Sequence, residues 1–140
     1  MGAEELWGSE REGGSEMKVL IVDDSSFIRE YLRRLLQRMG VDCREAVNGR
    51  EALEVMCVDE TFDLMLLDLN MPVMNGLECV KTLRANKLSP ATKVMMVTTE
   101  GDCSFMCQAL EYGADEFLMK PFTPESLREK MSMLGFEIAA

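Results

Sequence analysis

Four short apolar runs in this chain each end on residues that handle charge or phosphate. Met17 to Val22 runs into Asp23-Asp24, Leu64 to Leu67 into Asp68, Lys93 to Val97 into Thr98-Thr99, and Glu116 to Met119 into Lys120-Pro121. Runs of this length, bounded by polar residues, read as strands buried on both faces. In an open parallel sheet, ligands bind in the crevice beyond the carboxyl ends of the strands, so all four ends would share one rim. Three carboxylates converging there without compensation repel one another and resist ionisation. A hard divalent cation relieves that repulsion, and Mg²⁺ characteristically takes one or two carboxylates, waters and a phosphate oxygen. Asp68 would then face a phosphoryl group, with the Thr98 hydroxyl and the Lys120 ammonium holding its oxygens. Each pattern also has a plainer reading: an Asp pair caps helices, a Thr pair favours strands, and Lys-Pro makes a turn. Capping does not suit Asp68, because the next helical pattern starts about eight residues later. It is the joint occurrence at successive strand ends that is specific.

The elements that must position these ends follow from periodicity. Ser25 and Ser26 are cap candidates for a helix in which Ile28, Tyr31, Leu32, Leu35, Leu36 and Met39 recur at helical spacing until Gly40. Val41 to Val47, interrupted by charges, reads as an edge strand, and Asn48-Gly49 turns it into a helix carrying Ala52, Leu53, Val55 and Met56. After the Asp68 strand, Pro72 and Asn75-Gly76 turn the chain into a helix with Leu77, Val80, Lys81 and Leu83. Gly101-Asp102 opens a further helix with Phe105, Met106, Ala109 and Leu110 on one face, stopped by Gly113. Thr123 caps the last helix, Pro124 takes its first position, and Leu127, Met131 and Leu134 form its buried stripe. Five strands alternating with five helices through short loops call for an α/β fold with a parallel sheet covered on both faces.

A chain of 140 residues, 47% of them apolar, is one domain with a real core. Its net charge of −10 argues against nucleic acid or an anionic membrane as a direct partner, and permits a divalent cation or a basic protein surface. No apolar run is long enough to span a bilayer, and the amino terminus lacks a secretory pattern, so a cytoplasmic protein is expected. Residues 1–16 hold five Glu and four Gly and read as a solvated tail, with Leu6 and Trp7 as a loose contact. The folded unit is expected over 17–136, with 137–140 as a short carboxyl tail. Five cysteines without a CxxC pair, in a chain with no histidine, point to small buried or half-buried thiols. The lack of histidine also removes His-dependent triads and the role of phosphohistidine donor.

The segments VDDSSFIREYLRRLL, LLDLNMPVMNGLE, VMMVTTE and EYGADEFLMKPF together resemble the receiver domain of two-component response regulators. The resemblance covers about residues 17 to 136. It implies a flavodoxin-like (βα)5 fold with strand order 2-1-3-4-5. It implies that Asp68 is the phosphoacceptor, taking its phosphoryl group from a histidine kinase or histidine phosphotransfer protein. By position it makes Asp24 and Asp68 ligands of Mg²⁺, with Asp23 acting directly or through water and the Asn70 backbone carbonyl completing the set. Thr98 matches the switch hydroxyl, Lys120 the phosphate-pairing lysine, and Phe117 the aromatic switch position. The Lys120-Pro121 bond is expected to be cis.

The resemblance further implies a phosphorylation-controlled binding module rather than an enzyme, with autophosphorylation from small phosphodonors and autodephosphorylation as its only reactions. Transfer would need charge neutralisation and in-line positioning, and the product would draw Thr98 inward and let Phe117 rotate toward the core. The responsive face is expected on the helix around residues 102 to 112, the fifth strand, and the helix from Pro124 to Leu134. Phe105, Met106, Cys107 and Tyr112 cannot all point inward, so apolar surface should remain there for a protein contact. The chain is expected as a monomer or a phosphorylation-dependent dimer. A stand-alone receiver in chemotaxis or an intermediate phosphorelay step is the leading role. Asn70 and Glu100 match chemotaxis receivers, whereas Phe117 stands where those carry tyrosine. A receiver cut from a longer regulator is the nearest alternative. A Mg²⁺-dependent aspartyl phosphatase ranks lower, because Asn70 stands where such an enzyme needs a second acid.

Overall fold

The computed structural model describes residues 17–99 and 103–138. Five parallel strands lie in the order β2-β1-β3-β4-β5: β1 (Lys18–Val22), β2 (Asp42–Ala46), β3 (Leu64–Asp68), β4 (Lys93–Thr98) and β5 (Glu116–Met119). The helices between and after them are α1 (Ser26–Arg38), α2 (Gly49–Val58), α3 (Gly76–Ala85), α4 (Cys103–Tyr112) and α5 (Pro124–Met133). This is the flavodoxin-like arrangement, and the register brings the functional ends level. Val22 pairs with Ala46 and Leu67, Asp68 with Val97, and Thr98 with Met119.

Helices cover both faces, so the inner strands are apolar throughout and all five residues of β3 are buried. Successive strand residues feed alternate cores, as the pleat requires. Leu20, Val22, Met65 and Leu67 pack with Ala52 and Met56 of α2, Cys79, Val80 and Leu83 of α3, and Ala109 of α4. Val19, Ile21, Leu64 and Leu66 pack with Leu32, Leu35 and Leu36 of α1 and Leu127 and Met131 of α5. Phe136 and Ile138, beyond α5, lie against this second core.

Local chemistry explains where helices begin. Ser25 accepts a hydrogen bond from the Ile28 N–H, and Thr123 forms a reciprocal cap with Ser126 while Pro124 opens α5. Both Asn-Gly pairs act as helix starts: Asn48 accepts from the Glu51 N–H, and Asn75 forms a capping box with Glu78. Glycine follows each cap because the backbone there is crowded. A Cβ on Gly49 would sit 2.8 Å from the Met74 carbonyl oxygen.

Some expectations need correction. Leu110 does not join a buried face of α4: it is 52% exposed and Phe105 is 41% exposed, whereas Ala109 is buried. Among the residues of α4 whose burial is described, Ala109 is the buried one, and it joins the first core. Leu134 caps α5 and is half-buried rather than core, and Tyr31 of α1 turns outward at 37% exposure. The helix start assigned to Gly101-Asp102, like the match at Glu100, lies outside the described residues. No helix among the described residues is long and apolar enough to cross a membrane.

Candidate functional site

At the carboxyl ends of β1 and β3, ligand oxygens of Asp23, Asp24 and Asp68 all lie within 4.8 Å of one another. Asp23 and Asp68 are buried, at 2% and 7% exposure, and Asp24 faces solvent. The Lys120 ammonium, brought in from the end of β5, donates to Asp23 Oδ2 and to Asp68 Oδ1, each at 3.2 Å. One cation between two buried carboxylates leaves the cluster under-compensated. Burial, then the charge of Asp23, push the Asp68 carboxyl up to about 6 against the opposing pull of Lys120. Burial alone would lower the Lys120 pKa, but Asp68 and Asp23 outweigh it and hold the ammonium above its ordinary value.

Backbone geometry fixes these groups. The Ser25 N–H donates to Asp23 Oδ1 at 2.9 Å, so the residue that caps α1 also orients the buried acid. The Lys120 N–H donates to the Thr98 carbonyl at 2.6 Å, locking the two strand ends together, and the Lys120–Pro121 peptide bond is cis. Gly76 N–H donates to the Leu69 carbonyl at 2.9 Å, seating the start of α3 against the residue that follows Asp68. Asn70 is exposed in the same loop.

Thr98 is 5% exposed, on the strand beside Asp68. Below it, Leu69, Met96, Phe105, Met106, Ala109 and Phe117 enclose a cavity of only about 10 Å³ with Thr98 itself. Phe117 is half-buried against this cluster, between β5 and α4. The structure therefore brings Asp23, Asp24, Asp68 and Lys120 into one cluster, with Thr98 and Phe117 in a second group at its edge. The donor set is all oxygen, with two buried acids facing one ammonium. That fits a hard divalent cation of the Mg²⁺ type and does not suit a soft metal.

Sequence reasoning missed what lies behind the cluster. Arg29 of α1 donates to the Asp23 carbonyl oxygen at 2.6 Å and to Glu45 at 2.8 Å, and Arg33 donates to the other Glu45 oxygen at 2.6 Å. Burial raises the Glu45 pKa, but the bonds from Arg29 and Arg33 prevail and hold the carboxyl below its ordinary value. The available signal was the i, i+4 spacing of the two arginines, with an acid, Glu45, inside the following edge strand. Cys43 and Cys79 are buried thiols, pushed up by burial to about 11 and about 12, and are inert.

The chain is similar to known proteins over most of its described length. The model of the response regulator receiver domain matches residues 19–132. A chemotaxis protein CheY homolog of Campylobacter jejuni is 43% identical over 116 residues, covering 82% of this chain and 89% of its own. Chemotaxis protein CheY1 of Helicobacter pylori is 40% identical over 119 residues, covering 84% and 96%. The solved structure of chemotaxis protein CheY4 of Vibrio cholerae superposes with a TM-score of 0.77 at 38% identity, covering 86% of this chain and 98% of that one.

Proposed function

This chain belongs to the response regulator receiver domain family, the phosphoacceptors of two-component signalling, and we propose that Asp68 is its acceptor and Lys120 its phosphate-pairing cation. The observation that carries this reading is the Lys120 ammonium 3.2 Å from both Asp23 and Asp68, with three carboxylates within 4.8 Å. An Asp68 carboxylate oxygen attacks the phosphorus of a phosphohistidine on a histidine kinase or phosphotransfer protein. The O–P bond forms as the N–P bond breaks, and the electron pair returns to the imidazole of the donor, which takes up a proton. Asp24, Asp68 and the Asn70 carbonyl would hold Mg²⁺, with Asp23 acting directly or through water. The bound ion supplies charge neutralisation at the transferring phosphoryl oxygens.

Lys120 holds the added charge by exchanging its carboxylate contacts for phosphoryl oxygens. Thr98 donates its hydroxyl to the same group, and Phe117 moves with it because the two share one tight cavity. The altered face comprises α4, β5 and α5. Phe105, Leu110, Met119 and Met133 already leave apolar surface there, at 41%, 52%, 38% and 64% exposure. Similarity to chemotaxis proteins supports a chemotaxis output, through residues 17–136 as the switching unit. Small phosphodonors serve the same acceptor, and the acyl phosphate is lost by hydrolysis at the same site. The test is incubation with Mg²⁺ and acetyl phosphate followed by intact mass. A phosphoryl adduct on the wild type and none on Asp68→Asn is expected; an undiminished adduct on the variant overturns the assignment.

A further inference from the structure

The loop from Leu69 to Asn75 leaves the Asp68 strand, carries Asn70 and enters α3. Two bonds set its own shape: the Gly76 N–H donates to the Leu69 carbonyl at 2.9 Å, and the Met74 N–H to the Pro72 carbonyl at 2.7 Å. Among the described residues, one backbone hydrogen bond ties the loop to a distant segment. The Gly49 N–H, at the start of α2, donates to the Met74 carbonyl at 3.1 Å.

That donor is available because the first N–H groups of a helix have no partner within it. In α2 the Asn48 side chain takes the Glu51 N–H at 2.8 Å, and the loop takes that of Gly49. α2 is a firm support, since Ala52 and Met56 anchor it in the first core.

Residue 49 also cannot carry a side chain without moving its surroundings. A Cβ there would lie 2.8 Å from the Met74 carbonyl oxygen, 3.0 Å from Met74 Cγ and 3.0 Å from Cys79 Cβ. Cys79 is a fully buried residue of α3, and its Sγ donates to the Gly49 carbonyl at 3.5 Å. The loop is the softer neighbour: Pro72 and Val73 are exposed and Met74 is half-buried. A larger residue at 49 therefore displaces the loop first. Mg²⁺ tolerates little movement of a ligand, because it demands near-octahedral geometry at about 2.0–2.1 Å.

We propose that Gly49 is a positioning residue for the cation site. Its N–H and its bare Cα seat the loop after Asp68, so that the Asn70 carbonyl is presented to the ion that Asp24 and Asp68 would hold. The inference rests on the metal assignment proposed above and extends that site to the start of α2.

Calorimetry of Mg²⁺ binding, with no phosphodonor present, reads the effect of Gly49→Ala. Affinity is expected to fall roughly tenfold, the size of change when a group that orients a metal ligand is lost. Ala52→Gly loosens the same helix through its lower helix propensity and leaves Met74 alone, so it should keep the wild-type affinity. In the acetyl phosphate reaction, half-saturating Mg²⁺ should rise for Gly49→Ala while the rate at saturating Mg²⁺ is kept. Circular dichroism checks that both variants are folded. The wild-type protein gives a second measurement. Coupling is reciprocal, so Mg²⁺ should slow exchange of the Gly49 amide, held by the loop, more than that of Glu51, held by Asn48.

Wild-type affinity in Gly49→Ala, or an equal loss in Ala52→Gly, overturns the proposal. So does a rate that falls at saturating Mg²⁺ with half-saturation unchanged. If Gly49→Ala does not fold, the exchange comparison decides, and equal slowing of the two amides overturns it. A wild-type chain that binds no Mg²⁺ overturns the metal assignment itself, which is distinct from tight binding by wild type and variant alike.

Discussion

Arg29 donates to the backbone carbonyl oxygen of Asp23 at 2.6 Å and is itself held by Glu45 at 2.8 Å. A guanidinium, its charge met by Glu45, thus braces the β1–α1 turn that carries two of the three acids. Arg29→Met keeps the apolar stem and removes the donors. Loss of about 1–3 kcal/mol of stability is expected, the size of a hydrogen bond to a charged group. Mg²⁺ affinity by calorimetry should fall several-fold while the Asp68 adduct still forms at saturating Mg²⁺. A variant that loses stability and keeps wild-type Mg²⁺ affinity would reduce Arg29 to a structural role.

Gly76 begins α3 where a Cβ would clash with the Asp68 carbonyl oxygen and sit 2.9 Å from Met96 Cε. Since the oxygen is backbone, β3 or α3 must shift to admit it. Gly76→Ala is expected to cost about 1–3 kcal/mol by overpacking and to slow phosphorylation by displacing Asp68. Denaturant unfolding and acetyl phosphate kinetics check the two effects separately. Equal stability of variant and wild type would contradict the close approach.

Much of this architecture is legible in the residues alone, and the omissions have physical causes. Each inner strand is buried on both faces, so its apolar run stands out, and a polar residue at its end marks the rim. Strand order is not written in local pattern, because parallel neighbours meet through long crossovers; it entered through the family resemblance. Arg29 and Glu45 lie sixteen residues apart and pair only after β2 docks on β1. Leu110 carried a core-type side chain, but α4 buries Ala109 and leaves Leu110 to solvent. The Asn-Gly pairs looked like turns and are helix starts, since Asn caps and Gly relieves crowding against a backbone in another segment.

Val73, in the loop between Asp68 and α3, has φ of 70° and is 72% exposed. A β-branched residue in the left-handed region is strained by about 1–3 kcal/mol, and its exposed side chain recovers little by packing. Val73→Asn suits that conformation and should raise the unfolding midpoint. A lowered midpoint would show that Val73 is stabilised by contacts that outweigh its backbone.

The Asp68 carboxyl, raised from 3.8 to about 6, makes stability depend on pH when divalent cations are chelated. A group raised on folding contributes stability fully below its unfolded value and loses it as pH rises through about 6. Wild-type protein is therefore destabilised at pH 8 by a charge that Asp68→Asn does not carry. The variant should be the more stable at pH 8, by at most about 3 kcal/mol at ~1.4 kcal/mol per unit, with the gap closing toward pH 4. Adding Mg²⁺ should raise the wild type toward or past the variant, because binding stabilises the folded state. A gap that is the same at both pH values, measured by urea unfolding in chelator, would remove this origin.

In the proposed mechanism Thr98 links acceptor to output: its carbonyl holds the Lys120 N–H at 2.6 Å, and its side chain lines the small cavity shared with Met106 and Phe117. Removing its hydroxyl leaves Asp23, Asp24, Asp68 and Lys120 untouched, so Thr98→Ala should still accept phosphate, at a slower rate. What it loses is the donor that draws β4 toward the phosphoryl group, and with it the coupled movement of Phe117. Partner binding or dimerisation should then no longer respond to phosphorylation. Thr98→Val, which fills the same volume, should behave alike and separates loss of the hydroxyl from an enlarged cavity. In the wild type, phosphorylation should alter hydrogen exchange in residues 98 to 122 more than in 26 to 39. Both Thr98 variants should abolish that difference while the mass adduct persists. If exchange changes concentrate in α1 instead, the output face has been misplaced, because α1 touches the acceptor site without passing through Thr98 or Phe117.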